Sequence, residues 1–277
     1  PVPTIRLMRR YPFLISVPHG GTRVPEEILD LFALTESDLM YYSDPGTRAL
    51  YQFQDRVISY LDSDISRMVV DLNRPPYHLP PRHPDGVVKQ KTVHGTPVYR
   101  SGILPDIRVI HRLLMDYYFP YHAEIDLLLD PGRIALAMDC HSMLPEGPPA
   151  HRDAGKERPL ICLGNNGDGR GEQRPGSLST CPSPWIRALG TAFREEFGMS
   201  GEVAINRPFS GGFITNAHFW HKGIPWIQIE VNRSLYEGSR GMPGRTSIDD
   251  DALRSTGKRI WSAICSFWDQ LDSTESP

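Results

Sequence analysis

Short apolar runs, rich in β-branched residues and bounded by Gly, Pro or polar clusters, recur along the chain. Runs of this length and composition are typical of buried strands. The predicted strands are residues 13–17, 68–72, 134–138, 160–163, 203–205 and 226–231. Between them, apolar positions repeat at helical spacing. The predicted helices are residues 26–34, 47–61, 106–129, 183–197 and 249–271. This alternation predicts an α/β fold with a largely parallel or mixed central sheet.

Two stretches rich in Pro, Gly and charge interrupt the alternation, at residues 75–97 and 143–184, with only the short strand 160–163 inside the second. Loops of this length in a compact domain either cover a functional site or are disordered, and both readings stay open. The 277 residues are enough to bury the core of one large α/β domain. We therefore expect a single domain over residues 1–277 with long loops at these two places.

Composition narrows the range of partners and compartments. The 30 basic and 33 acidic residues give a net charge of −3, which provides no general attraction to nucleic acid or to an anionic membrane. The four cysteines lack CxxC spacing, so we expect reduced thiols rather than disulfides or a cysteine zinc site. Residues 1–17 contain neither a signal-peptide apolar stretch nor a bilayer-spanning run. We expect a soluble, cytoplasmic protein.

A histidine followed by two glycines ends the first predicted strand, in Val17-Pro18-His19-Gly20-Gly21. The carboxyl ends of strands are where open α/β sheets place their sites, and glycines permit tight turns and close approach of a ligand. His19 is therefore a candidate metal ligand, although a loop histidine without a task would look the same.

A second histidine follows another apolar strand, in Asp139-Cys140-His141. Residues two apart on a strand face the same side, so Asp139 and His141 can approach one site. A carboxylate beside a metal-bound histidine fixes its tautomer, which makes the pair a candidate metal-binding unit. The alternative is a structural hydrogen bond at a strand end.

A carboxylate interrupts the last apolar strand, at Glu230. Burying an unpaired carboxylate is costly, so Glu230 needs a partner, a metal or a raised pKa suited to proton transfer. It is a candidate general base, or else the partner of the nearby Arg233.

At the end of residues 68–72 lies the pair Asn73-Arg74, which could hold an acidic substrate or bind a protein carboxylate.

Three further positions have two readings each. Asp44 is either an oxygen ligand or the N-cap of the helix beginning near Thr47. His122 lies within a predicted helix and points either at the site or, as general expectation favours, into the core. The segment from Asn206 to Gly212 is a plausible substrate rim or a plain turn.

Eight fragments, taken in order along the chain, resemble the N-formylglutamate amidohydrolase family. They are VPHGG, SDPGT, DLNRP, HGTPVYR, FPYH, DCHSM, NRPFSGGFIT and IQIEVNRSLY, from about residue 13 to residue 236. That family is similar to the zinc-dependent carboxypeptidase and aspartoacylase superfamily. The resemblance implies a three-layer α/β/α fold like that of zinc exopeptidases. It also implies hydrolysis of N-formylglutamate to formate and glutamate, as in histidine breakdown.

The same resemblance implies one Zn²⁺, with His19 and His141 as two of its ligands. In the superfamily a carboxylate ligand follows the first histidine by three positions, where this chain has Thr22. The third ligand must then come from elsewhere, and the resemblance favours Asp44. The two glutamates at residues 26–27 are the alternative.

Glu230 resembles the base that takes a proton from the zinc-activated water and delivers it to the leaving amine. Asn73-Arg74 resembles the pair that binds a substrate carboxylate, and an arginine, here Arg74, would help to stabilise the oxyanion. The expected substrate-binding residues are Asn73, Arg74, Arg100, Arg207, Gly211, Gly212 and Thr215.

The expected partner is a small acidic N-acyl amino acid, bound by a monomer or a small homo-oligomer. One alternative keeps the zinc and changes the substrate to another N-acyl amino acid or a peptide carboxyl end. Another is a non-catalytic binding protein on the same scaffold. The two histidines and the buried glutamate argue against the last, because a binding protein needs no general base.

Overall fold

Six strands form one mixed sheet in the computed structural model, which describes residues 10–198, 202–238 and 246–275. The strands are β1 (Tyr11–Val17), β2 (Val57–Asp62), β3 (Leu136–Met143), β4 (Ile161–Gly164), β5 (Val203–Ile205) and β6 (Trp226–Asn232). Their order across the sheet is β2-β1-β3-β6-β4-β5. All neighbours are parallel except β4 and β6, which are antiparallel. The predicted fold class, α/β with a largely parallel mixed sheet, is confirmed.

Helices connect these strands and cover the sheet. They are α1 (Glu26–Leu29), α2 (Glu36–Tyr42), α3 (Thr47–Leu50), α4 (Ile107–Leu113), α5 (Phe119–Leu129), α6 (Ser183–Phe197), α7 (Phe213–Lys222) and α8 (Asp250–Glu275). A π-helical turn, Leu114–Tyr118, joins α4 to α5. In the part of the chain that the structure describes, no helix combines the length and apolar character needed to span a bilayer.

The sheet separates two apolar clusters. Phe13 and Ile15 of β1 pack with side chains of α3, α6 and α8, whereas Leu14 packs on the opposite face with residues of α4, α5 and α7. Because helices cover both faces, β3 is buried at all eight of its positions, as a central parallel strand should be. This is the expected α/β/α arrangement.

Two predicted elements are wrong. The helix predicted at residues 47–61 ends at Leu50, and Val57–Asp62 instead forms β2 along β1. The strand predicted at residues 68–72 is a buried turn, in which the amides of Val69 and Val70 both donate to the Ser66 carbonyl. In both places the tertiary partners, and not the local apolar pattern, decide the backbone.

The other differences are in length or omission. The predicted helix 26–34 is shortened to α1, and the predicted strand 134–138 lies instead at Leu136–Met143. Helices α2 and α7 are not in the prediction. A capping box between Thr35 and Asp38 marks the start of α2.

Candidate active site

The carboxyl ends of three adjacent strands, β1, β3 and β6, meet at one edge of the sheet. In the register of β3 with β6, His141 lies opposite Glu230 and Asp139 lies opposite Gln228. His19 follows the end of β1, the other neighbour of β3. Three candidate residues from distant parts of the sequence are therefore brought together by strand pairing alone.

Asp44 joins the two histidines from the segment between α2 and α3. Its backbone amide donates to the carbonyl of His19 at 2.9 Å, which fixes the segment beside β1. Its Oδ2 lies 3.1 Å from Nδ1 of His141 and 3.6 Å from Nδ1 of His19. The candidate ligand atoms of the three buried residues all lie within 4.8 Å of one another. The geometry thus brings together the three residues expected to hold a metal.

The second nitrogen of each imidazole is held by a buried carboxylate. Nε2 of His19 lies 2.8 Å from Asp71 Oδ1, and Nε2 of His141 lies 2.8 Å from Asp139 Oδ2. Because a carboxylate only accepts, Nε2 carries the proton in both rings and Nδ1 is directed toward Asp44.

The donor set fits a cation. Nδ1 of His19 is buried and has no hydrogen-bond partner among the residues described. Two imidazole nitrogens and one carboxylate oxygen are a donor set of three, as in catalytic zinc sites that keep a position for water. The expected alternative at residues 26–27 is wrong, because both glutamates are exposed on α1.

The electrostatics of the group agree with this reading. Burial would raise the pKa of Asp44, but the hydrogen bond from His141, the neighbouring ring of His19 and the charge of Arg67 hold it well below its usual value. Burial also opposes charge on His141, yet the carboxylates of Asp139 and Asp44 raise its pKa well above the usual value. A proton is thus retained between His141 and Asp44, where a divalent cation would take its place.

Glu230 is buried beside this group. Burial raises its pKa to about 7, which is the range of a general base operating at neutral pH. Nε2 of Gln228 donates to Glu230 Oε1 at 2.6 Å. Arg233, the alternative partner, donates instead to the carbonyls of Tyr41 and Ser43 and lies 3.7 Å from Asp44.

Two cations that the sequence did not indicate support the carboxylates. Arg67 spans two of them, with Nη1 at 3.3 Å from Asp44 and Nη2 at 3.0 Å from Asp71. The buried Nζ of Lys89 lies 2.8 Å from Asp71. Only the four-residue separation of Arg67 from Asp71 could have hinted at this pairing.

Some of the residues expected to bind substrate line the cavity, and others lie outside it. Asn73 lines the cavity, but its amide is committed, donating to Asp139 and accepting from the amide of Ile214. Arg74 also lines the cavity and pairs with Asp85 at 2.8 Å.

Gly211 and Gly212 contribute to the cavity wall as expected. Three assignments are corrected. Arg100 is exposed and donates to the carbonyl of Phe32, and Arg207 is exposed outside the cavity. Thr215 is buried at the start of α7, where its hydroxyl bonds Gly212 and does not reach the wall.

The glycine pair after His19 also has a structural explanation. A Cβ on Gly21 would lie 2.1 Å from the backbone of Asp64, so this position serves chain packing rather than ligand approach. His122 is directed into the core, which is the alternative that general expectation favours. It bonds the carbonyl of Leu72 and the ring of His218, and burial lowers its pKa to about 4.

The site opens into a cavity of about 170 Å³. This is below the roughly 300–1,000 Å³ typical of drug-sized ligands, so the cavity suits a small molecule. Both long loops contribute to its wall, the first through Asp85, Lys89 and Val93 and the second through His151 and Arg158. Arg158 is held by Asp153 at 2.7 Å and lies over the ring of Phe209.

Comparison with known families gives the class. Residues 11–237 match the model of the N-formylglutamate amidohydrolase family. Because the match covers most of the chain, the chain belongs to this family, as the eight fragments predicted. It is therefore a member of a class of enzymes that hydrolyse a linear amide.

Two curated relatives and two solved structures are similar to this chain. An N-formylglutamate deformylase of Pseudomonas putida is 30% identical and one of Pseudomonas aeruginosa is 33% identical, each over 82% of both chains. A crystal structure of N-formylglutamate amidohydrolase from Ralstonia eutropha superposes with a TM-score of 0.70 at 20% identity, covering 93% of this chain and 94% of that one. A gene product of Agrobacterium tumefaciens gives 0.64 at 19% identity, with 95% and 90% covered. These two structures support the fold.

Proposed function

We propose that the protein is a zinc-dependent amidohydrolase that cleaves N-formyl-L-glutamate, or a closely similar N-acyl amino acid, to formate and glutamate. The observation that carries the proposal is the buried group of His19, Asp44 and His141 beside the buried Glu230 in one small cavity. The names of the curated relatives support the substrate. Such a reaction would be a step of histidine breakdown.

His19, Asp44 and His141 would hold one zinc ion, each through the atom that its neighbours leave available. Zinc bound there would supply Lewis acidity toward the acyl oxygen and would lower the pKa of water. Asp71 and Asp139 keep the two imidazoles oriented, and the hydrogen bond from His141 together with the charge of Arg67 keeps the pKa of Asp44 low. The protein thus presents a set of ligands that needs little reorganisation.

Glu230 would act as the general base and then as the general acid. Its raised pKa lets it take a proton from the attacking water at neutral pH and return that proton to the amine nitrogen as the C–N bond breaks. Glu230 lies opposite His141 in the register of β3 with β6, which supports a role beside the proposed ligands rather than as one of them.

Arg74 would bind a carboxylate of the substrate. It lines the cavity and pairs there with the half-exposed Asp85, a partner that a substrate carboxylate would replace. The small cavity favours a compact dicarboxylate over a peptide.

The test is the variant Glu230→Gln, which keeps the shape of the side chain but cannot accept a proton. We expect zinc content near one per chain and a loss of formate release of roughly 10²–10⁴-fold. Zinc is measured by mass spectrometry of metals and formate by a coupled assay.

Glu237→Gln is the matched control. Glu237 is also buried but lies outside the cavity, so the same chemical change should leave turnover near that of the wild type. Near-normal turnover in Glu230→Gln would rule out the base assignment. Absence of zinc and of formate release in the wild type would rule out the proposed function.

A further inference from the structure

Gln228 is a second polar side chain of β6 that faces the cavity. It lies two residues before Glu230, on the same face of the strand, and only 4% of it is exposed. Its Nε2 donates to Glu230, while its Oε1 has no hydrogen-bond partner in residues 10–198, 202–238 and 246–275. One end of this amide is thus used and the other is not.

The orientation of the amide follows from Glu230. In the ionised form in which Glu230 acts as a base, its carboxylate accepts hydrogen bonds only, so the nitrogen of Gln228 must face it and the oxygen must face away. A buried acceptor without a donor is costly, and buried side-chain polar atoms are nearly always paired. Gln228 Oε1 therefore needs a donor that the described residues do not supply, and a molecule bound in the cavity that Gln228 lines can supply it.

The chemistry of the proposed substrate offers one such donor. At neutral pH an N-formyl dicarboxylate has two carboxylates and a formyl oxygen, which all accept. Its single N–H belongs to the amide bond that is broken. A substrate that complements Gln228 must therefore present this N–H to it.

We propose that Gln228 is a specificity-determining residue that accepts the N–H of the scissile amide through Oε1 while its Nε2 holds Glu230. This inference rests on the proposed function and adds the class of substrate, namely secondary amides rather than esters or N-alkylated amides. A single side chain then connects the base with the nitrogen that receives its proton. The leaving nitrogen is held on the side of the cavity where Glu230 lies.

The experiment compares two substrates that differ only in this donor. They are N-formyl-L-glutamate and the O-formyl ester of (S)-2-hydroxyglutarate, which has oxygen in place of the N–H. Values of kcat/KM are measured for the zinc-loaded wild type and for Gln228→Leu, with spontaneous ester hydrolysis subtracted. We expect Gln228→Leu to lower kcat/KM for both substrates, and to lower it for the amide by roughly a further tenfold or more than for the ester.

Glu230→Asp is the control for an effect that passes through the base. It displaces the carboxylate without removing Gln228 Oε1, so it should lower both rates with a smaller change in the amide-to-ester ratio. Gln228→Met, a second apolar replacement of similar length, guards against a folding defect of Gln228→Leu, and zinc content is measured in all variants.

The outcomes separate the two hypotheses. A wild type that releases no formate from N-formyl-L-glutamate would overturn both. A wild type that is active, with equal losses on amide and ester in both Gln228 variants, would overturn this inference alone. So would a change in the ratio no larger than that of Glu230→Asp.

Discussion

At the scale of single residues, the site is defined by which atom of each side chain is left available. Asp71 and Asp139 accept hydrogen bonds from Nε2 of the two histidines, which leaves Nδ1 of both rings toward Asp44. The role of Asp139 beside His141 could be predicted, because residues two apart on a strand share a face. That of Asp71 could not, because it lies 52 positions from His19 in a segment without regular structure.

Glu230 gives a pH dependence to the stability of the metal-free protein. Burial raises its pKa from 4.5 to about 7, so the folded chain binds this proton more tightly than the unfolded chain. The corresponding stabilisation is complete below pH 4.5 and is lost as the pH rises through about 7. Each unit of the shift corresponds to about 1.4 kcal/mol.

Comparison with Glu230→Gln isolates this contribution, because glutamine does not titrate. We expect the free energy of unfolding of the wild type, minus that of the variant, to fall by a few kcal/mol between pH 5 and pH 8. Urea unfolding of chelator-treated protein at several pH values measures it. Parallel curves for the two proteins would contradict the assignment of a buried, proton-binding Glu230.

At the scale of elements, the sequence predicts the site best where it lies on strands. Strands β1, β3 and β6 are visible as apolar runs, and their parallel pairing brings His19, His141 and Glu230 to one edge. Residues 68–72 show the limit of that reasoning. They are as apolar as a strand, but the amide of Asp71 bonds the carbonyl of Val87 in the first long loop.

Arg67 and Lys89 could not be predicted for the same reason. Both belong to segments outside helices and strands, in which the direction of a side chain has no period. Their positions depend on contacts between Ser66, Asp71 and the loop at residues 75–97 that only the folded chain reveals. Arg100 and Arg207 show the opposite case: both lie in fragments that match the family, and neither side chain lines the cavity.

The start of α7 lies against the candidate metal-binding group through one close contact. A Cβ on Gly212 would lie 2.3 Å from the side-chain amide of Asn73, which donates to Asp139 and lies 3.1 Å from His141 Nε2. The backbone of Gly212 is extended, so alanine is excluded here by space and not by conformation.

Gly212→Ala should therefore weaken zinc binding by displacing Asn73. We expect a loss of affinity of roughly 10–100-fold, as for other changes around metal-bound histidines. Competition with a chromogenic chelator measures it. Gly238→Ala, where the nearest atom to a new Cβ is 3.9 Å away, should bind zinc like the wild type. Equal affinity in both variants would show that Asn73 does not support the ligands.

At the scale of the whole molecule, the site concentrates charged side chains in a way that the net charge of the chain does not reveal. The net charge of the chain is only −3, yet the cavity gathers Asp44, Asp85 and Glu230 together with Arg67, Arg74, Lys89, Arg158 and Arg233. Arg67 and Arg233 both approach Asp44 from segments distant in sequence, whereas Arg74 pairs with Asp85 in the same loop region.

Zinc bound by His19, Asp44 and His141 should stabilise the fold as a whole, because these residues lie after β1, before α3 and on β3 and converge only in the folded chain. A ligand at about 100 times its Kd adds about 2.7 kcal/mol to the free energy of unfolding. For a chain of this size that raises Tm by several degrees. We expect this increase in the wild type and in His111→Ala, which removes an exposed imidazole of α4. We expect its loss in His141→Ala. Thermal unfolding with zinc and with chelator measures the difference, and an undiminished increase in His141→Ala would remove His141 from the set of ligands.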